Sequence, residues 1–222
     1  MTPHKLITLL KSGVHENHAA GDVFHALDFA EELYIVESGY VKRYSMDQKQ
    51  VKIIESIYGP GYLFPLSPIY KKLFDMELSQ DDRHYVYQAM TDLEIKGISM
   101  QSLEKALDED PELYRDLFLE AGVRLKANIN RLTSNALSDE SKKVVHQLVC
   151  LADEFGTLQK KGVKTTILIK VPLENVDIAE QLNLSREFVD ETISMLQSQE
   201  LISISDHKIS ISDLDLLKDA YL

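Results

Sequence analysis

The chain has 222 residues, which is enough for one large domain or for two small ones with apolar cores of their own. Its formal net charge of −12 and its isoelectric point near 5.0 exclude a general affinity for nucleic acids or acidic membranes, although not a local basic surface. The only cysteine, Cys150, excludes an intramolecular disulfide and a four-cysteine metal or iron–sulfur site.

The sequence contains no apolar run long enough to cross a bilayer. Its first residues, MTPHKLITLLKSG, lack the long apolar segment and the cleavage site of a secretory signal peptide. We therefore expect a cytoplasmic protein without a membrane partner.

The first part of the chain, residues 1–98, is predicted to consist mainly of short strands. The segment ELYIVESGYVKRYSM alternates apolar and polar residues around Ser38-Gly39, which predicts a hairpin. QVKIIESIYGPGYLF repeats this form, with Gly59-Pro60-Gly61 reversing the chain, and HYVYQAMTDLEIKGIS adds more branched and aromatic residues. Short strands separated by Gly and Pro indicate a small antiparallel roll or barrel.

The apolar pattern changes period within residues 99–137, which we interpret as a linker and a long helix. Pro111 suits a first helical turn, and the spacing of three to four residues after it predicts a helix of about 25 residues. A stripe of this length usually contacts a second helix, and a parallel partner from another chain is the simplest candidate; the alternative is a helix folded back on its own domain. The predicted dimer interface is Leu113, Leu117, Ala121, Leu125, Ile129 and Leu132.

The third part, residues 138–222, is predicted to be a winged helix-turn-helix. A helix capped by Ser138 or Asp139 ends at Gly156, and a polar lysine-rich loop and the strand TTILIKV follow it. Two short helices come next, then a hairpin that turns near Asp206-His207 and a short closing helix. The fold class is therefore α+β: a roll, a long helix and a winged helix-turn-helix.

The two short helices have the residue types that a helix-turn-helix requires. Asn183 stands where the turn needs a residue that tolerates positive φ, and Ser185 is placed to cap the second helix. We expect Ile178, Ala179, Leu182, Val189, Ile193 and Leu196 to be buried, and Arg186, Glu187, Asp190 and Glu191 to face outward.

Three segments, in this order and at this spacing, resemble the cyclic-AMP receptor protein and fumarate-nitrate reductase regulator (CRP/FNR) family of bacterial transcription factors. AGDVFHALDFAEELYIVESGYVKRY resembles the family's entry strand, acidic turn and hairpin, and IYGPGYLFPLS stands where the family has a Gly-Pro-Gly turn. IAEQLNLSREFVDETISMLQSQELI resembles its helix-turn-helix. The resemblance covers nearly the whole chain and implies a cyclic-nucleotide-binding-like jelly roll in front of the dimerisation helix.

The resemblance also implies partners and site residues. The expected partners are double-stranded DNA with an inverted-repeat operator and a second copy of the chain, and RNA polymerase and an unknown small-molecule effector are further candidates. By resemblance, Arg186 would donate two hydrogen bonds to guanine and Glu187 would accept one from cytosine N4. The predicted DNA-binding residues are Ser185, Arg186, Glu187, Asp190 and Lys208.

Acidic residues crowd this segment, and two of them depart from the family pattern. Glu191 replaces an arginine, and Glu174 replaces the threonine that caps the first helix. Because acids oppose the attraction of DNA phosphates, we interpret them as lowering non-specific binding, so that specificity depends on Arg186. The alternative is a dimeric interaction protein of the same fold that has lost specific DNA binding.

The sequence argues against cyclic AMP as the effector. Pro65-Leu66 stands where nucleotide-binding relatives have Gly-Glu, and His84 replaces a small hydroxyl residue beside Arg83, which aligns with the phosphate-binding arginine. We predict an effector pocket near Tyr62, Phe64, Arg83 and His84. The histidines His15, His18 and His25 match no metal motif, and no catalytic arrangement is present, so we expect neither a metal, nor a cofactor, nor an enzyme.

Overall fold

The computed structural model describes residues 4–25, 31–69, 85–161 and 164–221. The chain forms two compact units, Met1–Leu125 and Lys126–Leu222. No helix among the described residues is both long enough and apolar enough to span a membrane.

The described residues of the first unit form two antiparallel sheets of four strands each, in the orders β1-β8-β3-β6 and β2-β7-β4-β5. The predicted roll is confirmed. Helix α1 (His4–Lys11) precedes the strands, and helices α2 (Met100–Glu109) and α3 (Glu112–Ala136) follow them. The strands are β1 (Val14–His18), β2 (Val23–His25), β3 (Glu32–Ser38), β4 (Val41–Met46), β5 (Lys52–Tyr58), β6 (Leu63–Phe64), β7 (Val86–Ala89) and β8 (Leu93–Ser99).

The hairpin expected at Ser38-Gly39 is wrong. Strand β3 pairs with β8 and β6, whereas β4 pairs with β5 and β7, so the turn carries the chain from one sheet to the other. Gly39 has φ 86°, and a Cβ atom there would lie 2.2 Å from the carbonyl oxygen of Asp92. The hairpin instead joins β4 to β5, where Asp47 Oδ1 accepts backbone hydrogen bonds from Lys49 and Val51. Alternation therefore indicated a buried face but not the pairing partner.

Two apolar clusters lie among the described residues of the first unit. One contains large side chains of both sheets, among them Tyr34, Tyr58, Phe64 and Tyr87. The other joins α1, α2 and the first turns of α3 to strand β3, and it includes Leu6, Leu10, Leu33, Leu103, Leu113 and Leu117. Helix α3 is thus attached to the roll at its N-terminal end by its own apolar side chains.

The second unit is a winged helix-turn-helix, as predicted. Its sheet has the order β11-β12-β10-β9. The segment expected to be a polar loop after Gly156 instead contains strand β9, which pairs with β10 along its whole length. Because β9 is an edge strand with exposed residues such as Leu158, it lacks the alternation that would reveal it. The elements are α4 (Glu140–Phe155), β9 (Gly156–Lys161), β10 (Lys164–Ile169), α5 (Asn175–Leu182), α6 (Arg186–Ser198), β11 (Ile202–Ser205), β12 (Lys208–Ile211) and α7 (Leu214–Tyr221).

Candidate nucleic-acid interface

The turn between α5 and α6 fixes the angle at which the second helix begins. Asn183 follows α5 in the left-handed conformation, with φ 53° and ψ 46°, which confirms the sequence prediction. The next residue, Leu184, donates its backbone N–H to the carbonyl of Ala179 at 3.1 Å. Ala179 is buried, and its small side chain allows the two helices to pack closely.

Helix α6 has one buried side and one side that faces solvent. Ser185 caps its N-terminus by accepting a hydrogen bond from the backbone N–H of Phe188 at 3.2 Å. The apolar residues expected to be buried have at most 1% of their surface exposed, and Thr192 is buried beside them. They are Val189, Ile193 and Leu196. The side that begins with Arg186 is therefore free to meet a ligand.

The exposed side presents one arginine among acids. Arg186, Glu187 and Glu191 are exposed, and Asp190 is partly exposed. The Arg186 Nε atom lies 3.6 Å from Asp190 Oδ2, and Asp190 Oδ1 accepts a hydrogen bond from Asn175 Nδ2 on α5 at 2.7 Å. Asp190 is thus held by both helices, and it partly neutralises the arginine.

One acid in the first turn of α5 is not on the surface. Asp177 is only 4% exposed, and its Oδ2 atom accepts a hydrogen bond from the backbone N–H of Glu174 at 3.0 Å. The carboxylate therefore serves the N-terminus of α5, where a negative charge and an acceptor are both favourable. It belongs to the packing of the helix and adds no exposed acid to the outer face.

The wing is the two-residue hairpin between β11 and β12. Asp206 and His207 have φ values of 50° and 57°, the left-handed pair that such a turn requires, so the predicted turn is confirmed. The carbonyl of His207 accepts a hydrogen bond from the backbone N–H of Leu173, just before α5, at 2.8 Å. Lys208 is exposed at the tip, and Lys170 is exposed on the segment that leads to α5.

A network of hydrogen-bonded polar side chains, which sequence reasoning missed, links α5 to α3 and α4. Ser134 near the end of α3 is fully buried, and its Oγ atom lies 2.7 Å from His146 Nδ1 and 3.3 Å from Gln147 Oε1 on α4. Gln147 Nε2 donates to Gln181 Oε1 on α5, and Asn135 Nδ2 donates to the Gln181 carbonyl at 3.4 Å. Burial lowers the pKa of His146. The first helix of the helix-turn-helix is therefore hydrogen-bonded to the last turn of α3.

The predicted dimer stripe is wrong at its N-terminal end. Leu113 and Leu117 are 5% and 8% exposed because they belong to the apolar core of their own unit. Leu125, Ile129 and Leu132 are 61%, 52% and 62% exposed, whereas Ala121 is partly buried. A series with steps of four residues advances about 40° beyond each full turn, so a stripe that starts in the core winds out to the surface.

Four of the exposed apolar residues of α3 follow a heptad instead. Phe118, which the sequence analysis missed, is 78% exposed, and Leu125 and Leu132 follow it at intervals of seven. Gly122, Ile129 and Ala136 alternate with them at steps of four and three, which is the spacing of the contact positions in a coiled coil. We call these six residues the seam.

The expected effector residues are only partly brought together. Phe64 is fully buried among Tyr34, Tyr58 and Tyr87, so it belongs to the core and not to an open pocket. The ring of Tyr62 lies 3.8 Å from the guanidinium carbon of Arg124, a buried residue of α3. Arg83 and His84 lie outside the described residues.

A buried ion pair joins α3 to strands β5 and β6. Glu120 and Arg124 are 2% and 7% exposed, with 3.7 Å between Glu120 Oε1 and Arg124 Nε. Glu120 Oε1 accepts a hydrogen bond from the backbone N–H of Leu63, and Arg124 donates to the carbonyl of Ile57, each at 3.4 Å. Burial raises the pKa of Glu120, and Arg124 acts against that rise. The pair fixes one face of α3 against the roll.

Within the described residues no group of three or more potential metal ligands exists.

Comparisons with known proteins agree with this architecture. The family model described as a Crp-like helix-turn-helix domain matches residues 142–220. The cAMP-activated global transcriptional regulator CRP of Haemophilus influenzae is 25% identical over 85% of this chain and 79% of its own. The global nitrogen regulator of Nostoc sp. is 24% identical over 85% of this chain and 80% of its own. The structure of FixK2 from Bradyrhizobium japonicum superposes with a TM-score of 0.72 at 18% identity, covering 93% of this chain and 96% of that one.

A β-roll, a long helix and a winged helix-turn-helix that matches a Crp-like domain define a DNA-binding transcriptional regulator. Residues 142–220 belong to the Crp-like helix-turn-helix domain family, and most of the chain is similar to CRP-type transcription factors.

Proposed function

We propose that the protein is a homodimer that reads an inverted-repeat DNA operator with helix α6 and that does not respond to cyclic AMP. The observation that carries the proposal is the first turn of α6. There Arg186 and Glu187 are exposed, while the opposite side of the helix is buried in its own unit. A helix presented in this way fits the major groove, and its N-terminal residues meet the base edges.

Each exposed residue has a chemical role in this proposal. Arg186 donates two hydrogen bonds to a guanine, and Glu187 accepts one from a cytosine amino group. Ser185 fixes the start of the helix, and Lys208 on the wing contacts a backbone phosphate, which sets the register without reading sequence. Asp190 orients Arg186 through their ion pair.

The acids on α6 reduce attraction to any DNA, whatever its sequence. Glu187 and Glu191 are exposed, and the chain as a whole carries a net charge of −12. Lysines of the same unit, such as Lys208 and Lys170, offer phosphate contacts outside the groove. We infer that these acids suppress non-specific binding more than binding to the cognate site, because only the cognate site supplies the guanine contact of Arg186.

The seam supports dimerisation through parallel α3 helices. Its apolar members are exposed over five helical turns, and such a patch in water is unfavourable. Gly122 lies in the middle of the helix, where glycine costs about 0.5–1 kcal/mol relative to alanine. Among the described residues nothing lies within 4 Å of a Cβ atom built at Gly122. Contacts within its own chain therefore do not require a glycine at position 122. The absence of a side chain there would allow a second helix to approach closely.

The effector proposal rests on Leu66. Leu66 packs against the apolar cluster that joins α1, α2 and α3 and therefore offers no acceptor for a ribose hydroxyl. The Haemophilus relative is described as cAMP-activated and the Nostoc relative as a nitrogen regulator. These two relatives are about equally similar to this chain, but their names state different functions. Sequence similarity therefore does not identify the effector. A small-molecule effector other than cyclic AMP, and RNA polymerase, are the further partners we propose.

The second candidate is a dimeric interaction protein that has lost specific DNA binding. The observation that favours it is the acidic character of α6, including Glu191. A pull-down of fragmented genomic DNA with the wild type and with Arg186→Ala separates the two. Enrichment of discrete fragments by the wild type alone supports the regulator, and equal, unselective recovery by both proteins supports the interaction protein.

A further inference from the structure

Two exposed apolar residues of α3 lie beside the seam and not on it. Leu119 is 46% exposed and Val123 is 38% exposed. With Phe118 as a d position, Leu119 is an e position and Val123 a b position, so both lie on the same flank of the helix. Contact between the two seams alone would leave this flank in water.

The other flank of the same helix borders an apolar cavity of about 420 Å³. Its helical wall includes Tyr114 and Ala121, the two g positions that precede and follow Phe118. Its opposite wall is Leu66 and Ile69, which follow strand β6. All of the lining residues belong to the first unit, and almost all of the lining surface is apolar.

Parallel heptad geometry brings these two flanks together. In a parallel pair, the g residue of one helix faces the e residue five positions further along the other. Tyr114 of one protomer would therefore face the partner's Leu119. The partner's Val123, one turn further along the same flank, would follow it toward Ala121.

We propose that Leu119 and Val123 of the partner subunit fill this cavity, so that the pocket is completed only in the dimer. The proposal rests on the proposed parallel dimer of α3 and adds a contact between the roll of one protomer and the helix of the other. Leu119 and Val123 match the cavity chemically. Their side chains are aliphatic and have no hydrogen-bonding groups, and the cavity wall also offers almost no hydrogen-bonding groups. Each dimer has two such pockets, and Leu66 then contacts both helices.

Cross-linking between differently tagged chains tests the proposal. Both chains carry Cys150→Ser; one has Leu66→Cys with a large tag, and the other has Leu119→Cys with a small tag. After co-expression and treatment with a short bis-maleimide, we expect a covalent product of mixed tags. The control pair combines Leu66→Cys with Lys105→Cys, since Lys105 is 79% exposed and lies on α2, not on α3. This pair should give no mixed product.

A Leu125→Cys chain, also in the Cys150→Ser background, separates failure of this inference from failure of the dimer. Leu125 is a seam residue, so two such chains should cross-link to each other whether or not the cavity is filled. If Leu125→Cys cross-links and the Leu66→Cys with Leu119→Cys pair does not, the cavity has another occupant and the inference is overturned. An apolar small molecule that co-purifies with the wild-type protein and occupies the cavity would overturn it as well. If Leu125→Cys also fails, the parallel dimer and the inference are both wrong. Thermal melting of each variant, within a few degrees of the wild type, shows that it is folded.

Discussion

Arg186 and Asp190 lie one helical turn apart on α6, with 3.6 Å between Nε and Oδ2. Asp190 is held in turn by the side-chain amide of Asn175 at 2.7 Å. An exposed pair of this kind contributes only about 0.2–1 kcal/mol. A bidentate contact with guanine discriminates against the wrong base by about 1–3 kcal/mol. At the cognate site the contact of Arg186 with guanine is therefore stronger than its ion pair with Asp190. A contact of Arg186 with a phosphate alone gives a smaller net gain in free energy when the ion pair is lost.

The charge of α6 can be tested at Glu191. We predict that Glu191→Arg tightens binding to arbitrary DNA and steepens its decrease with salt, since one further phosphate contact changes the slope by about 0.9. Fluorescence anisotropy on a random duplex over a series of salt concentrations measures both effects. Asp153→Arg, which makes the same charge change at an exposed position of α4, is the matched control. An equal effect of both variants would show that net charge acts and that the position on α6 does not matter.

The seam predicts which apolar residues of α3 control dimerisation. Leu125→Glu combined with Ile129→Glu should give a folded monomer that has lost operator affinity, because an inverted repeat requires two reading helices. Sedimentation measures the mass, and circular dichroism verifies the fold. Leu158→Glu, at a 70% exposed position of β9, should leave the dimer intact.

Leu117 should behave differently from the seam residues. Because it is buried in the core of its own unit, Leu117→Ala should lower the free energy of unfolding by about 2–5 kcal/mol. Its effect should appear in chemical denaturation, while sedimentation of the folded protein still gives a dimer at micromolar concentration. A monomer that retains wild-type stability would place Leu117 at the interface after all.

Cyclic AMP should neither stabilise the protein nor change its DNA binding. A ligand that binds only the native state stabilises it by mass action and so raises the melting temperature. At a hundredfold excess over the dissociation constant this stabilisation is about 2.7 kcal/mol. Thermal melting with millimolar cyclic AMP should therefore match melting without it. A clear shift that Arg83→Ala abolishes would contradict this prediction.

The stability of the second unit should depend on pH through His146. Burial lowers the pKa of His146 in the folded protein, so the unfolded chain binds more protons as the pH falls through the ordinary histidine range. Stability is therefore full above the unfolded pKa and decreases as the pH falls toward the folded pKa. Urea denaturation at pH 7.5 and at pH 5.5 should show a smaller difference for His146→Gln than for the wild type. His207→Gln, on the exposed wing, is the control and should keep the wild-type difference.

Local chemistry explains what the sequence predicted correctly. Asn183 and Ser185 were identified because the left-handed turn and the helix cap each depend on the residue at that one position. The 25-residue length of α3 followed from Pro111 and the apolar period. Such features depend on few neighbours, and a single sequence carries them.

Features that depend on distant partners were not predictable in the same way. The bond between Gln147 and Gln181 joins residues 34 positions apart, and neither side chain signals it locally. Likewise, Leu117 and Leu125 look equivalent in the sequence. One is covered by the roll and the other is exposed, because only the tertiary structure decides which side of α3 meets its own unit.

Selection of DNA from a random pool, with the wild type and Arg186→Ala in parallel, tests the central proposal most directly. The wild type should enrich an inverted repeat whose half-sites lie about one helical turn apart. Arg186→Ala should lower affinity for that site by about 1–3 kcal/mol and relax the preference at one base pair in each half-site. No enriched sequence with the wild type, but ready enrichment with Glu191→Arg, would contradict the account, because the wild-type α6 would then not read DNA.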